Sequence, residues 1–157
     1  MWDQGNNISD ADISSQDFID GAGAFDIYDS RAADDFLVPE DVFLRVRTFI
    51  TYGAFDDIEP NLVQSLDIVF LSDRGGLPGD EIPECVYKDI LPHDLNDPSF
   101  ITDLPKPRVL LPGKYWVSVQ ANMLFLPNGQ WFWFERTFQM LSPFVWENRV
   151  TASARDA

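Results

Sequence analysis

Alternation of apolar and polar side chains runs through most of this chain, and it predicts β-strands. The best-defined stretch is 115–122, in which Tyr115 and every second residue after it form an apolar face. The opposite face carries Trp116 followed by polar side chains. Pro112-Gly113 precedes this stretch as a turn, and an aromatic strand follows at 130–135. The pattern predicts a pair of strands in an antiparallel sheet.

Shorter segments with the same alternation are separated by clusters of Gly, Pro, Asp and Asn, which are typical of turns. The predicted strands are 34–38, 42–52, 64–72, 84–91, 98–102 and 108–111, with a further candidate at 137–141. Within 42–52, Val42 and every second residue to Ile50 share one face. No segment carries a helical stripe of about ten residues. The chain therefore predicts an all-β fold, an antiparallel β-sandwich with a jelly-roll-like arrangement.

The length of 157 residues and an apolar content of 45% suit a single domain with a sizeable core. Residues 1–150 are predicted to form the sandwich module and 151–157 a polar tail or linker. Residues 1–31 scatter a few apolar side chains through polar sequence, so they predict an irregular N-terminal strap with at most one short strand. No apolar run approaches the ~18 residues of a membrane span, and the chain shows no signal peptide.

The net charge of −15 limits the classes of partner that the chain can bind. Such a field repels nucleic acid and anionic membranes, so neither is an expected partner. Aspartate dominates the acids, which leaves two interpretations open: solubility, or calcium bound by carboxylates. Adjacent residues of a strand point to opposite faces, so one member of each aspartate pair would serve as a ligand. The candidate calcium ligands are Asp34, Asp35, Asp56 and Asp57.

Nucleophilic chemistry has few candidates in this sequence. Cys85 is the single cysteine, which excludes a disulfide within the chain and a zinc site built from cysteines. Its surroundings predict a buried or half-buried apolar role. His93, the single histidine, follows a proline and precedes an acid, which predicts an exposed loop position. Paired carboxylates remain as the chemistry of an enzyme, and they define a hydrolase alternative.

Aromatic and amide side chains on the predicted strand pair form a candidate ligand site. Indole faces stack on sugar rings, and neighbouring amides bond to hydroxyls. The candidate residues are Trp116, Gln120, Asn122, Gln130, Trp131 and Trp133. A strand with aromatics on both faces is also typical of burial between two layers. The sequence leaves open whether these tryptophans are exposed or belong to the core.

Four motifs taken together carry a resemblance that extends over residues 2–150. They are Ala32-Ala-Asp-Asp-Phe36, Gly75-Gly-Leu-Pro-Gly79, Gly113-Lys-Tyr-Trp-Val-Ser-Val-Gln120 and Gly129-Gln-Trp131. In order and spacing the chain resembles non-catalytic β-sandwich modules of large secreted or surface-anchored bacterial proteins. The resemblance implies a jelly-roll-like accessory domain, an exported location, further domains in a longer parent chain and no catalysis.

These observations lead to one preferred function and two alternatives. The preferred function is a non-enzymatic accessory module that binds or presents a glycan or a protein surface. The first alternative is a purely structural spacer or assembly domain, and the second is the carboxylate-based hydrolase. No cofactor is required by the prediction, and Ca²⁺ is the one cofactor that the composition suggests.

Overall fold

The computed structural model describes residues 7–20, 23–56, 62–137 and 141–148, and strands are the dominant secondary structure in them. The first six strands are β1 (Ile8–Ser14), β2 (Gln16–Phe18), β3 (Ser30–Val38), β4 (Leu44–Ile50), β5 (Gly53–Phe55) and β6 (Ser65–Asp73). The later strands are β7 (Pro78–Ile90), β8 (Ile101–Leu110), β9 (Gly113–Met123), β10 (Trp131–Arg136) and β11 (Val145–Asn148). A 3₁₀ turn at Asp26–Tyr28 and the short helix α1 (Phe125–Asn128) complete the list.

The strands form antiparallel sheets that pack against each other, so the predicted all-β sandwich is confirmed. One layer is a six-stranded sheet in which five strands follow the order β11-β3-β9-β6-β7 and β2 pairs in parallel with β9. The opposing layer contains a three-stranded sheet, β1-β10-β5, and a two-stranded sheet, β4-β8. In the described part of the chain, no helix has the length and apolar character needed to cross a membrane.

The main core lies between these layers and draws on both. Phe36, Ile68 and Val119 enter it from the six-stranded sheet, and Phe100 and Trp131 enter it from the opposite side. A second, smaller cluster lies apart from this core. It consists of Ala33, Val69, Leu71 and Trp116. The six-stranded sheet therefore buries side chains on both faces, which the alternating pattern alone did not predict.

The predicted strands at 98–102 and 108–111 are one strand, β8, that includes Pro105 and Pro107. Proline interrupts a strand in the middle of a sheet because it lacks an N–H, but an edge strand tolerates it. The described partner of β8 is β4 alone, so β8 has an edge where proline costs no ladder hydrogen bond. The prediction of two separate segments was wrong for this reason.

The N-terminal segment is more regular than predicted, because it contains both β1 and β2. Ser15 lies between them fully buried, and its hydroxyl donates to the Val119 carbonyl at 2.6 Å. The Gln16 side chain is also buried, and its Oε1 accepts the Trp131 backbone N–H at 2.9 Å. A polar sequence predicts a loop, but polar residues can be buried next to a strand when backbone groups satisfy their hydrogen bonds. The segment still spans both layers, as a strap would.

Strand β4 confirms the prediction at 42–52 but not its predicted face. The pairing of β4 with β8 shifts register between Val46 and Thr48. From Val46 to Thr48 on β4 the partner moves from Arg108 to Asp103 on β8, so the extra residues lie in β8, and the alternation of β4 changes side at this irregularity. Val46 and Phe49 therefore both pack on the core, while Ile50 is exposed. Strand β11 was not predicted, and the candidate at 137–141 and the tail at 151–157 fall largely or wholly outside the described residues.

Candidate functional site

A cavity of about 740 Å³ lies between the two layers, and we call it the interlayer cavity. Its floor is the core-facing side of the six-stranded sheet, formed by residues of β3 together with Phe70 and Val117. One wall is β4 with Thr51 and Tyr52, and the other is the 133–136 end of β10. Protein pockets that hold small ligands or cofactors usually measure about 300–1,000 Å³ and are mainly apolar. The interlayer cavity has the size and the lining of a ligand site.

The apolar lining comes from both layers. Phe36 and Phe70 lie on the floor, and their rings meet edge to face at 6.1 Å between centroids. Phe49 of β4 packs edge to face on the same Phe70 ring at 6.3 Å. Trp133 is half-buried and lines the β10 wall. These rings give the cavity an aromatic lining beside the charged side chains of its walls.

Asp34 is the acid on the floor of the interlayer cavity. Burial raises its pKa from 3.8 to about 6, and the adjacent Asp35 carboxylate adds to the rise. The Asp35 backbone N–H, which donates to Asp34 at 3.0 Å, and the Arg136 charge oppose this shift. The pKa of Asp34 is therefore high for an aspartate, as is found at many binding sites.

Charged side chains are concentrated on the walls of the cavity. Arg45 and Arg47 of β4 and Arg136 of β10 supply three positive charges, whereas Asp34 and Glu135 supply the negative ones. The chain as a whole carries −15, so a lining in which arginines outnumber acids stands out from the rest of the surface. The arginines were not candidate residues in the sequence, because alternation with apolar residues predicts only a solvated strand face for them.

Asp35 lies on the opposite side of β3 from Asp34, as predicted for adjacent residues of a strand. It is buried and forms an ion pair with Lys114 Nζ at 2.7 Å. The same Nζ lies 3.4 Å from Asp73, whose carboxylate accepts the Trp116 indole N–H at 2.9 Å. This hydrogen bond lowers the pKa of Asp73, and the contact with Asp35 raises the pKa of Lys114. The cluster is an internal salt-bridge network that joins three strand segments.

The remaining candidate calcium ligands are apart from this pair. The Asp56 carboxylate accepts the Gln130 backbone N–H at 3.0 Å and sits against Gly129, where φ is +77° and no Cβ would fit. Asp57 lies outside the described residues. Within the described ranges, no group of three or more His, Cys, Asp or Glu side chains is arranged to hold a metal ion. Calcium binding stays a prediction, with no site formed by the residues that the structure describes.

The predicted tryptophans do not form one platform. Trp116 and Trp131 are fully buried, and they belong to different apolar clusters. The Trp131 indole N–H donates to the Pro98 carbonyl at 2.8 Å, and its ring packs on Phe100 at 5.1 Å. Neither buried ring has a face available for stacking on a sugar. Of the three candidate tryptophans, Trp133 is the one that lines the cavity.

The predicted amide residues are occupied by internal hydrogen bonds or lie away from the tryptophan rings. Gln120 donates to the Ser30 carbonyl at 2.9 Å. Asn122 is buried and donates to Ser65 Oγ at 3.0 Å and to Asp67 at 3.1 Å. Gln130 is half-buried in the turn before β10. Amides that are committed to backbone and side-chain partners support the sheet and are poor candidates for ligand contacts.

The class that the fold and cavity define is an antiparallel β-sandwich with a gap between its layers. Comparison with models of known protein families, with curated proteins and with solved structures found no match to this chain. The resemblance to accessory modules of exported bacterial proteins therefore stays a prediction that depends on the motifs alone.

Proposed function

We propose that this chain is a non-catalytic accessory module of a larger exported bacterial protein, and that it binds its ligand in the interlayer cavity. The observation that carries this proposal is the cavity itself, about 740 Å³ with an aromatic floor and charged walls. Well-packed sandwiches fill the space between their layers with side chains, because empty volume costs stability. A cavity of this size is best explained as a place for a ligand.

The single histidine and the single cysteine lie outside the lining of the interlayer cavity. His93 is exposed, and its Nε2 lies 3.0 Å from Asp103 on the surface. Thr48 and His93 hold the pKa of Asp103 low, so it is a poor general acid near neutral pH. Burial raises the pKa of the Cys85 thiol, which keeps it protonated and weakly nucleophilic. These placements favour binding over nucleophilic chemistry that uses the histidine or the cysteine.

A structural spacer is the second candidate function, and the burial of Trp116 and Trp131 favours it. These rings are the sequence features that most suggested a binding surface, and both serve the interior. A spacer needs a rigid fold and no ligand, so the two functions differ in whether the interlayer cavity is occupied.

The fluorescent apolar dye ANS tests the proposal on the folded protein. Val46→Phe places a larger side chain at the cavity wall, and Val109→Phe makes the same change at an exposed position of the paired strand. We expect saturable dye binding that Val46→Phe weakens by about fivefold or more, equivalent to about 1 kcal/mol. Val109→Phe should leave the binding unchanged. A cooperatively melting wild type that binds no dye would refute the cavity as a ligand site and favour the spacer.

A glycan array tests the sugar class of ligand separately. Trp133 is the candidate residue for such a contact, since its half-buried ring lines the cavity. If a glycan is the ligand, Trp133→Ala should abolish its binding while the melting transition remains cooperative. If the Trp133→Ala variant still binds the glycan, the sugar contact lies outside the cavity.

A further inference from the structure

The two walls of the interlayer cavity are strand edges that separate from a common point. Residues 44–55 run in one direction, pair with β8 as far as Ile50, and pair with β10 from Gly53 onward. The Phe134 backbone N–H donates to the Tyr52 carbonyl at 3.0 Å, which closes the point of separation. Beyond it, β4 pairs with β8 and the end of β10 pairs with β1, among the described strands. The opposing layer therefore contains a wedge with a strand edge on each side.

We propose that the interlayer cavity receives one extended strand from a partner polypeptide, which continues the sheet from β4 across the wedge. This inference rests on the proposed function, because it names the occupant of the same cavity. Adding a strand to an exposed edge is an established mode of peptide recognition, in which backbone hydrogen bonds supply affinity and side-chain pockets supply specificity.

The form of the wall favours a strand over a small apolar molecule. The edge of β4 that faces the wedge carries backbone N–H and C=O groups with no described strand beside them. A chain running alongside the seven residues of β4 has the spacing to bond with these groups over roughly 23 Å. A compact apolar ligand would fill the volume but would form no hydrogen bonds with these backbone groups of β4.

The floor and the walls specify the side chains of the incoming strand. Side chains that point inward meet Phe36, Phe70 and Val117, so alternate positions should be apolar. Side chains that point outward lie beside the exposed Arg45 and Arg47 of β4. Acidic residues at those positions gain cross-strand charge pairing. The structure thus points to an extended segment with alternating apolar and acidic residues.

Two synthetic peptides test this inference, both acetylated and amidated. The first alternates glutamate and valine over about seven residues, the length of β4. The second has the same composition with its valines in one block. We expect the alternating peptide to bind with one-to-one stoichiometry by calorimetry and to slow hydrogen exchange at β4 amides. The block peptide should bind at least about tenfold more weakly. Equal binding of both peptides, or unchanged exchange at β4, would overturn the inference.

Charge reversal tests the outward face of the incoming strand. The double variant Arg45→Glu with Arg47→Glu should weaken binding of the glutamate peptide by about fivefold or more and strengthen binding of a matching lysine–valine peptide. Arg74→Glu changes charge at an exposed turn that does not line the cavity, and it should leave both affinities unchanged. An equal response to the double variant and to Arg74→Glu would refute the role of the β4 arginines.

The outcomes also separate this inference from the proposed function. Dodecanoate is an apolar chain with an acidic head and no backbone amides. If dodecanoate and ANS bind in the cavity but the alternating peptide does not, the cavity is a ligand site and the strand inference is wrong. If none of the three binds to folded protein, both proposals fail.

Discussion

Replacing Trp131 with alanine should destabilise the domain by about 3–5 kcal/mol, the usual cost of truncating a buried tryptophan. Trp131 is fully buried, packs on Phe100 and donates its indole N–H to the Pro98 carbonyl. Its loss removes a large apolar surface and leaves that carbonyl without its donor. Gly53 provides no side chain to fill the space, although a Cβ there would lie 2.5 Å from the Trp131 indole nitrogen.

Urea unfolding followed by circular dichroism measures this change. Trp131→Phe keeps a ring but removes the donor, so it should cost less, with about 1–3 kcal/mol from the unsatisfied Pro98 carbonyl. Trp146→Ala is the matched control, because Trp146 is 45% exposed and its loss should cost about 1 kcal/mol. A Trp131→Ala variant as stable as Trp146→Ala would show that Trp131 is not part of the core and would restore it as a candidate ligand contact.

Three further predictions address the charged residues. Lys114→Met removes the cation that pairs with buried Asp35, so it should cost about 3 kcal/mol in urea unfolding, whereas Arg31→Ala breaks a partly exposed pair with Glu81 and a hydrogen bond to Ser118 and should cost less. Asp34 has a folded-state pKa of about 6, above its ordinary 3.8, so protonation favours the folded state, and stability should rise as pH falls from about 7 to 4 by at most about 3 kcal/mol. Asp34→Asn should remove that dependence, and an unchanged pH profile in this variant would contradict the assignment. Calcium binding predicts a higher Tm with millimolar Ca²⁺ than with EDTA, by about 2.7 kcal/mol of stabilisation at a hundredfold excess over Kd, and coincident melting curves would contradict it.

The strands were largely predictable, because a period of two is visible within a single segment. Residues 64–72 and 115–122 were predicted within one or two residues of β6 and β9. The faces were harder to predict, since an irregular pairing with β8 changes them within β4 and the alternation of β4 itself does not indicate it. Trp116 shows the same limit. Its burial depends on contacts with Ala33, Leu71 and Asp73, which are distant from it in the sequence.

The site was not predictable, because it arises from the choice of strand partners. The sequence predicts one strand at 42–52, yet residues 44–55 pair with two different strands. Nothing in the alternation of that stretch indicates where it leaves β10 for β8. The acidic composition pointed instead to aspartates, of which Asp34 alone among the described candidates lines the cavity.

Two different local contacts form the closed end and the open end of the cavity. At the closed end, Gly53 allows β5 to approach Phe132 and Trp131 more closely than any larger residue could. At the open end, Phe49 of β4 packs on Phe70, and this contact holds β4 over the core beside β8. The wedge therefore follows from core packing on one side and a close glycine contact on the other. Because neither feature involves Arg45 or Arg47, the binding tests change the proposed contacts of the wedge without changing what holds it open.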